Sequence, residues 1–398
     1  MKALQVHHSV RRFGMARLLS VTSPSTSVRV APVEYRSIDD PPRPSGEGWN
    51  KVTTRMCGIC GSDLALIDGH ASTYFEDFVS FPFVPGHEIV GETDSGRRVV
   101  IEPVLGHAAR GAKPPWEGAA PADGDDYAHL ATGPLEPGIQ TGFCCSTGGG
   151  WAPWFWAHES QLHDVPADMS DETALLIEPL AGSVHAALIA NHHENRHLGD
   201  TESPIFVVLG AGTMGLGAIA ALRAAVPNAR IVSSARYPQQ MRLARGFGAD
   251  VLASGDELPR AVRRLSGSHR IGSHLSSGSH STIDAIGDAS SVRQAIEVTR
   301  PRGAVVLLGL PGDVRLDLTG LWHREIALLG SYTYGTEHVD GKDVRTFDLA
   351  MQLARHIGAE RLVSATYPLE DHVQALAHAA SAGRRGAIKI AFDMRGTH

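Results

Sequence analysis

Over the first 170 positions apolar residues come in short runs, at 4–6, 18–21 and 28–33, separated by polar or Pro/Gly-rich stretches such as 40–48. That texture predicts strands and turns, not helices, for residues 1–50. Residues 52–56 read as a strand. Segment 78–90 is rich in β-branched and aromatic residues and broken by Pro82 and Pro85, and 98–104 is a further strand. From 105 to 150 glycine and proline abound without a period, which predicts a long irregular lobe. The whole stretch reads as an all-β domain with irregular insertions.

The rhythm changes at residue 171. Residues 171–190 are rich in alanine and leucine, with Ser170 or Asp171 as N-cap, and predict a helix. An apolar run at 205–209 leads straight into Gly210-Ala211-Gly212-Thr213-Met214-Gly215, an alanine-rich helix through Ala225 and a second strand at 230–234. Strand, glycine turn, helix, strand is a βαβ unit. Alternation continues with helices at 241–247 and 291–299 and strands at 249–252, 282–286, 304–310 and 326–331. A long amphipathic helix at 343–357 and a last strand at 387–392 end the chain. The fold class is therefore α/β, a β-rich domain followed by a doubly wound parallel sheet and a short return segment.

Composition narrows the function classes. The 398 residues suffice for two domains of ordinary size, and 42% hydrophobic with 20% charged content describes a globular chain. A formal net charge of −7 gives no electrostatic reason to expect nucleic acid or an anionic membrane as a partner. No run approaches the ~18 apolar residues of a membrane span, and the first residues lack an apolar signal core, so secretion is not expected. Four cysteines, Cys57, Cys60, Cys144 and Cys145, fit a reducing cytoplasm better than a disulfide framework. The histidine-rich stretches 191–197 and 268–280 read as solvated loops.

Two constellations carry chemistry. The glycine turn at 210–215 has the dinucleotide-binding spacing, the first glycine for the turn, the second for approach to a pyrophosphate and the third for helix packing. The strand that follows ends Ser233-Ser234-Ala235-Arg236-Tyr237, without the acid that would bind the ribose hydroxyls of NAD. Arg236 can face a 2′-phosphate, Ser234 can donate to it and Tyr237 can lie near adenine, which favours NADP(H) over NAD(H). The second constellation starts at Cys57-Gly58-Ile59-Cys60-Gly61-Ser62-Asp63. Alone, a C-x-x-C pair is a redox dithiol, half a zinc site, or buried apolar thiols. Together with Pro85-Gly86-His87-Glu88 and Glu178 it offers sulfur, imidazole and carboxylate, a catalytic zinc shell when water takes the last position. Ser62 can relay the proton of an alcohol, and Asp63 can hold a ligand histidine by its second nitrogen.

On these residues, with Gly91 and Glu178-Pro179-Leu180, the chain resembles the zinc-dependent branch of the medium-chain dehydrogenase/reductase family over nearly its whole length. The resemblance implies a GroES-like catalytic domain at 1–185, rejoined by 345–398, and a Rossmann domain at 186–344, with the active site in the cleft between them. Glu178 is similar to the glutamate of the sorbitol and threonine dehydrogenase subgroup, where classical alcohol dehydrogenases carry cysteine. It implies Cys60 and His87 as zinc ligands, with Glu88 and Glu178 as carboxylates, one direct and one through water or on exchange. It also implies a cytoplasmic homodimer or homotetramer.

Three departures stand out. Many members hold a structural zinc with four cysteines in a lobe whose counterpart here, 106–133, has none, so one catalytic zinc and no structural zinc is expected. Ala65 replaces a histidine that often ends the proton relay, and the turn at 94–97 is short. Tyr74, Phe75, Phe78, Trp151 and Trp154 are candidate pocket walls. The expected function is hydride transfer between NADP(H) and an alcohol, ketone or aldehyde. A C=C or C=N reductase with an idle metal, and a non-catalytic nucleotide-binding protein, are the alternatives.

Overall fold

The computed structural model describes residues 1–197 and 203–396, with side chains left undescribed from 194 to 197. The chain forms two units, Met1–Glu178 with Gly335–His398, and Pro179–Tyr334.

The first unit is built on a seven-stranded sheet. Its path runs Val363–Tyr367, Lys389–Asp393, Trp49–Gly58, Ile89–Thr93, Arg98–Ile101 and Leu162–Asp164, with Trp154–His158 pairing off the path to Trp49–Gly58. The last strand of the chain is thus an inner strand of this sheet, beside the one that delivers the cysteine turn. Phe392, Ile390, Cys57, Ile89, Trp151 and Phe155 form the apolar layer beneath it. The lobe that follows Arg98–Ile101 carries only short 3-10 turns, Ala108–Arg110 and Ala128–Ala131 among them. Its organising group is Arg110, only 2% exposed. The guanidinium donates to the carbonyls of Leu105, Thr132, Leu135, Glu136 and Gly138 at 2.8–3.4 Å. The bonds to Leu105, Leu135 and Gly138 are buried, where a carbonyl without a donor is costly.

Residues 1–50 correct the sequence reading. Two helices, α1 (Val10–Ser20) and α2 (Pro24–Val30), stand between the paired strands Lys2–Val6 and Val33–Ser37. The apolar runs at 18–21 and 28–33 resembled strands, but capping decides the matter. Ser9 and Ser23 accept from the amides of Arg12 and Thr26, and Pro24 opens the second helix.

The second unit is a six-stranded, all-parallel sheet in the order Val251–Ala253, Arg230–Ser234, Ile205–Leu209, Ser279–Asp284, Thr299–Leu307, Ala327–Gly330. With helices such as Thr213–Ala225 and Ala289–Val298 it is the doubly wound fold that the alternation predicts. Of the two histidine-rich stretches, 268–280 is exposed from His269 to His274 as expected, whereas 191–197 and His280 are not in solvated loops. Backbone 191–197 continues the helix Ile177–His197. His280 is 7% exposed within Ser279–Asp284, where Ser279, Thr282 and Thr299 bond one another. This buried strand hides its polar side chains by pairing them, so polarity along the sequence misreports its location.

Candidate active site

A ten-residue strand, Trp49–Gly58, ends where the cysteine turn begins, and the turn opens a seven-residue helix, α3 (Gly61–Ile67). Cys60 is the N-cap, and its amide donates to Asp63 Oδ2 at 3.0 Å. Asp63 is therefore fixed at the helix start, fully buried, with Oδ1 directed at His87 Nδ1 at 3.4 Å. That geometry falls short of a hydrogen bond, so both atoms are buried without a close partner. On its other side His87 Nε2 lies 3.4 Å from Ser62 Oγ. Burial opposes a charge on His87, but the Asp63 carboxylate and the Cys60 sulfur outweigh it and hold the imidazole well above its usual range. Cys57, by contrast, is fully buried, and burial first, then Asp63 and Glu88, pushes its thiol well up. It is an inert core thiol.

Glu88 is 1% exposed, and both its oxygens take a 2.6 Å bond from Lys389 Nζ, which also donates to Ile59 O at 3.3 Å. A Cβ at Gly58 would lie 1.9 Å from Glu88 Oε2, so only glycine leaves room for this pair. Burial disfavours the ammonium of Lys389, yet Glu88, Cys60 and Glu178 raise its pKa. Lys389 escaped the sequence reading. Its signal was a lone cation in the apolar run Ala387-Ile388-Lys389-Ile390-Ala391-Phe392, which in a buried strand requires a carboxylate.

The structure thus brings Cys60, Ser62, Asp63 and His87 together and commits Glu88 to Lys389. Glu178 is half-buried and close enough to act on Lys389. Among the described residues no group of three or more His, Cys, Asp and Glu side chains is gathered tightly enough to hold a metal. The donors nevertheless suit zinc. A thiol and an imidazole nitrogen share one corner, and a carboxylate stands behind the other nitrogen of the ring, the outer support that a metal-binding histidine needs.

Of the expected pocket walls, Trp151 is fully buried against Phe392, and Trp154 packs under Lys51 at 4.6 Å. Tyr74 is 72% exposed in the turn Thr73–Phe78 that also holds Phe75 and Phe78. The aromatic beside the site is one the sequence did not reveal, half-buried Phe143, whose ring centre lies 5.8 Å from that of His87. Its neighbours, Gly142 and two cysteines, give no periodic signal.

In the second unit, Gly210 has φ +89 and a Cβ at Gly215 would lie 2.0 Å from Gly210 O, whereas one at Gly212 would meet nothing within 4 Å. The turn is tight, the helix from Thr213 packs closely, and open space is left where a pyrophosphate approaches. Thr213 and Met214 open that helix. Beyond Ser234, Arg236 is exposed, its guanidinium 5.8 Å from the ring centre of Tyr237.

Comparison with known proteins agrees with both units. Residues 46–167 match the alcohol dehydrogenase GroES-like domain, and residues 214–348 match the zinc-binding dehydrogenase domain. The chain belongs to the zinc-dependent medium-chain dehydrogenase/reductase family. It is an oxidoreductase acting on CH–OH groups, and its family binds zinc and NAD(P). Sorbitol dehydrogenase of Ovis aries is 26% identical over 337 residues, covering 82% of this chain and 86% of the relative. An erythritol/L-threitol dehydrogenase of Mycolicibacterium smegmatis is 28% identical, covering 76% and 81%. Among solved structures, 2R,3R-butanediol dehydrogenase from Bacillus subtilis matches with TM-score 0.68 at 20% identity, covering 98% of this chain and 99% of that one. L-idonate 5-dehydrogenase from Escherichia coli matches at 0.64 and 24% identity, covering 91% and 94%. These structures share the fold.

Proposed function

We propose that the protein is a zinc-dependent, NADP(H)-preferring alcohol dehydrogenase or carbonyl reductase whose substrate carries an apolar group beside the reacting carbon. The observation that carries this reading is the grouping of Cys60, Ser62 and His87, with Asp63 behind the ring. Cys60 and His87 Nε2 would hold zinc. Glu178 is the carboxylate that would complete the set, since both oxygens of Glu88 are engaged by Lys389. Zinc bound there would supply Lewis acidity to the substrate oxygen. Asp63 keeps the ring oriented, and Lys389 neutralises Glu88, so the thiolate faces no uncompensated carboxylate. Ser62 Oγ takes the alcohol proton and passes it on through water or a ribose hydroxyl, because Ala65 offers no imidazole.

The absence of an acid after Arg230–Ser234 and the presence of Arg236 support NADP(H). One zinc per chain is proposed, the lobe being held by Arg110 where many relatives place cysteines. Phe143 beside His87 supports a bulky apolar substituent over a bare polyol. The proposal includes a cytoplasmic setting, and among the described residues no helix is long and apolar enough to cross a membrane. It also includes a homodimer or homotetramer, supported by the exposed edge strand Ala327–Gly330, whose Leu328 is 40% exposed. Family membership does not favour the C=C or C=N reductase or the non-catalytic reading.

Ser62→Ala tests the relay. The variant should keep its zinc and lose about 10²-fold or more in kcat, the scale of a positioned proton-transfer group. Unchanged turnover would remove Ser62 from the mechanism.

A further inference from the structure

The helical hairpin made by α1 and α2 is unused by the chemistry, yet it touches the far end of the helix that carries it. Helix α3 has two turns, too short to hold itself in water. Its N-terminal end is fixed by Asp63. Its C-terminal end is fixed from the hairpin. Ser27 Oγ, fully buried, donates its one proton at 2.6 Å to Oδ1 of Asp68, the C-cap residue of α3, with Ala16 O of α1 as the alternative acceptor at 3.0 Å. One residue on, Gly69 lies against the hairpin so closely that a Cβ there would sit 2.7 Å from Phe13 O. The hairpin is itself tied down. Arg12 donates to Val30 O at 3.1 Å and Ala31 O at 2.6 Å, and it pairs with Glu34 on the strand that follows.

A second line of contact runs to the other side of the site. The Phe81 ring packs against Phe13 at 6.5 Å and Phe83 at 5.2 Å. Phe83 packs against Phe143 at 5.5 Å, and Phe143 against His87 at 5.8 Å. The hairpin therefore touches the cysteine helix directly and reaches His87 through the rings of Phe81, Phe83 and Phe143.

We propose that the α1–α2 hairpin is a brace for α3, and that Ser27, through Asp68, is a positioning residue for Cys60, Ser62 and Asp63. Loss of the Ser27 hydroxyl frees the C-terminal end of α3. The helix can then pivot, and a pivot at one end displaces Asp63 and Ser62 at the other, only one or two turns away. The effect on catalysis rests on the function proposed above, whereas the effect on α3 does not.

The experiment compares metal-free wild type, Ser27→Ala, Asp68→Ala, Asp68→Asn and Val28→Ala by amide hydrogen exchange, then measures zinc affinity by chelator competition and kcat and KM. Val28, 3% exposed on the same helix, supplies a destabilised hairpin that leaves Asp68 untouched. Exchange at the amides of Asp68, Gly69 and His70, which bond Leu64 O, Leu66 O and Ala65 O, should quicken about tenfold in Ser27→Ala and in Asp68→Ala. Asp68→Asn, which keeps an acceptor, should stay near wild type, and Val28→Ala should not quicken this segment selectively. Zinc should bind several-fold more weakly in Ser27→Ala, and kcat should fall with KM little changed. Unchanged exchange at 68–70 in both alanine variants, or an equal effect of Val28→Ala, overturns the brace. Quickened exchange in a protein that binds no zinc in any form sustains the brace and refutes the proposed function instead.

Discussion

Replacing Lys389 by methionine isolates the role of the buried ion pair at the heart of the first unit. The lysine and Glu88 side chains are 5% and 1% exposed, and the ammonium lies 2.6 Å from both carboxylate oxygens. Removing the cation while keeping the carboxylate leaves a buried charge with no counter-ion, and such broken pairs cost about 3–5 kcal/mol. Gly58 leaves no slack for Glu88 to swing out, since its α-carbon face is already filled by Oε2. Lys389→Met should therefore lose about 3–5 kcal/mol in urea unfolding followed by circular dichroism. Adding Glu88→Gln should recover part of the loss, because a neutral amide needs no counter-charge. The pair also sets an alkaline limit. The pKa of Lys389 is raised in the folded protein, so its stabilisation is complete below the ordinary lysine pKa and is lost as pH climbs through the raised value. A loss under about 1 kcal/mol in Lys389→Met, or no recovery in the double variant, would refute this reasoning.

Arg110→Met should cost roughly 3–5 kcal/mol, because three buried and two part-buried carbonyls lose a charged donor, and should open the lobe 102–153 to limited proteolysis. Arg110→Lys should rescue little, since a point ammonium cannot span a fork of five acceptors. His280, pushed down to about 4 by burial and by Arg300, accepts the amide of Ile205 at 2.9 Å and stays neutral in the fold. Between the ordinary pKa of 6.5 and about 4 the unfolded chain binds the proton and the folded one does not. Stability should then fall by up to roughly 3 kcal/mol as pH drops through that window, and the slope of unfolding free energy against pH should flatten in His280→Gln. Arg236→Asp should raise KM for NADPH at least tenfold while leaving or improving that for NADH, and equal effects on both cofactors would exclude Arg236 from phosphate recognition.

Much of the architecture was legible because its signals are local. The run at 205–209, the glycine turn and the strand at 230–234 are each set by residues adjacent in sequence, and the structure places Ile205–Leu209 and Arg230–Ser234 at those positions. The cysteine turn was readable for the same reason. What escaped depends on distant partners or on capping. Two N-cap serines, Ser9 and Ser23, turned apolar runs into helices. Lys389 pairs with a residue 301 positions away, and Arg110 spans carbonyls up to 28 positions on, distances over which no periodicity informs. His280 hides in a strand because neighbouring strands supply its partners.

Zinc held by Cys60 and His87 is the central element of the proposed function. Metal analysis of the purified wild type, Cys60→Ala and His87→Ala, with turnover of a secondary alcohol measured on the same samples, tests it directly. One zinc per wild-type chain, with metal and turnover lost together in both variants, is the predicted result. A Cys60→Ala protein that is free of zinc and fully active would contradict it.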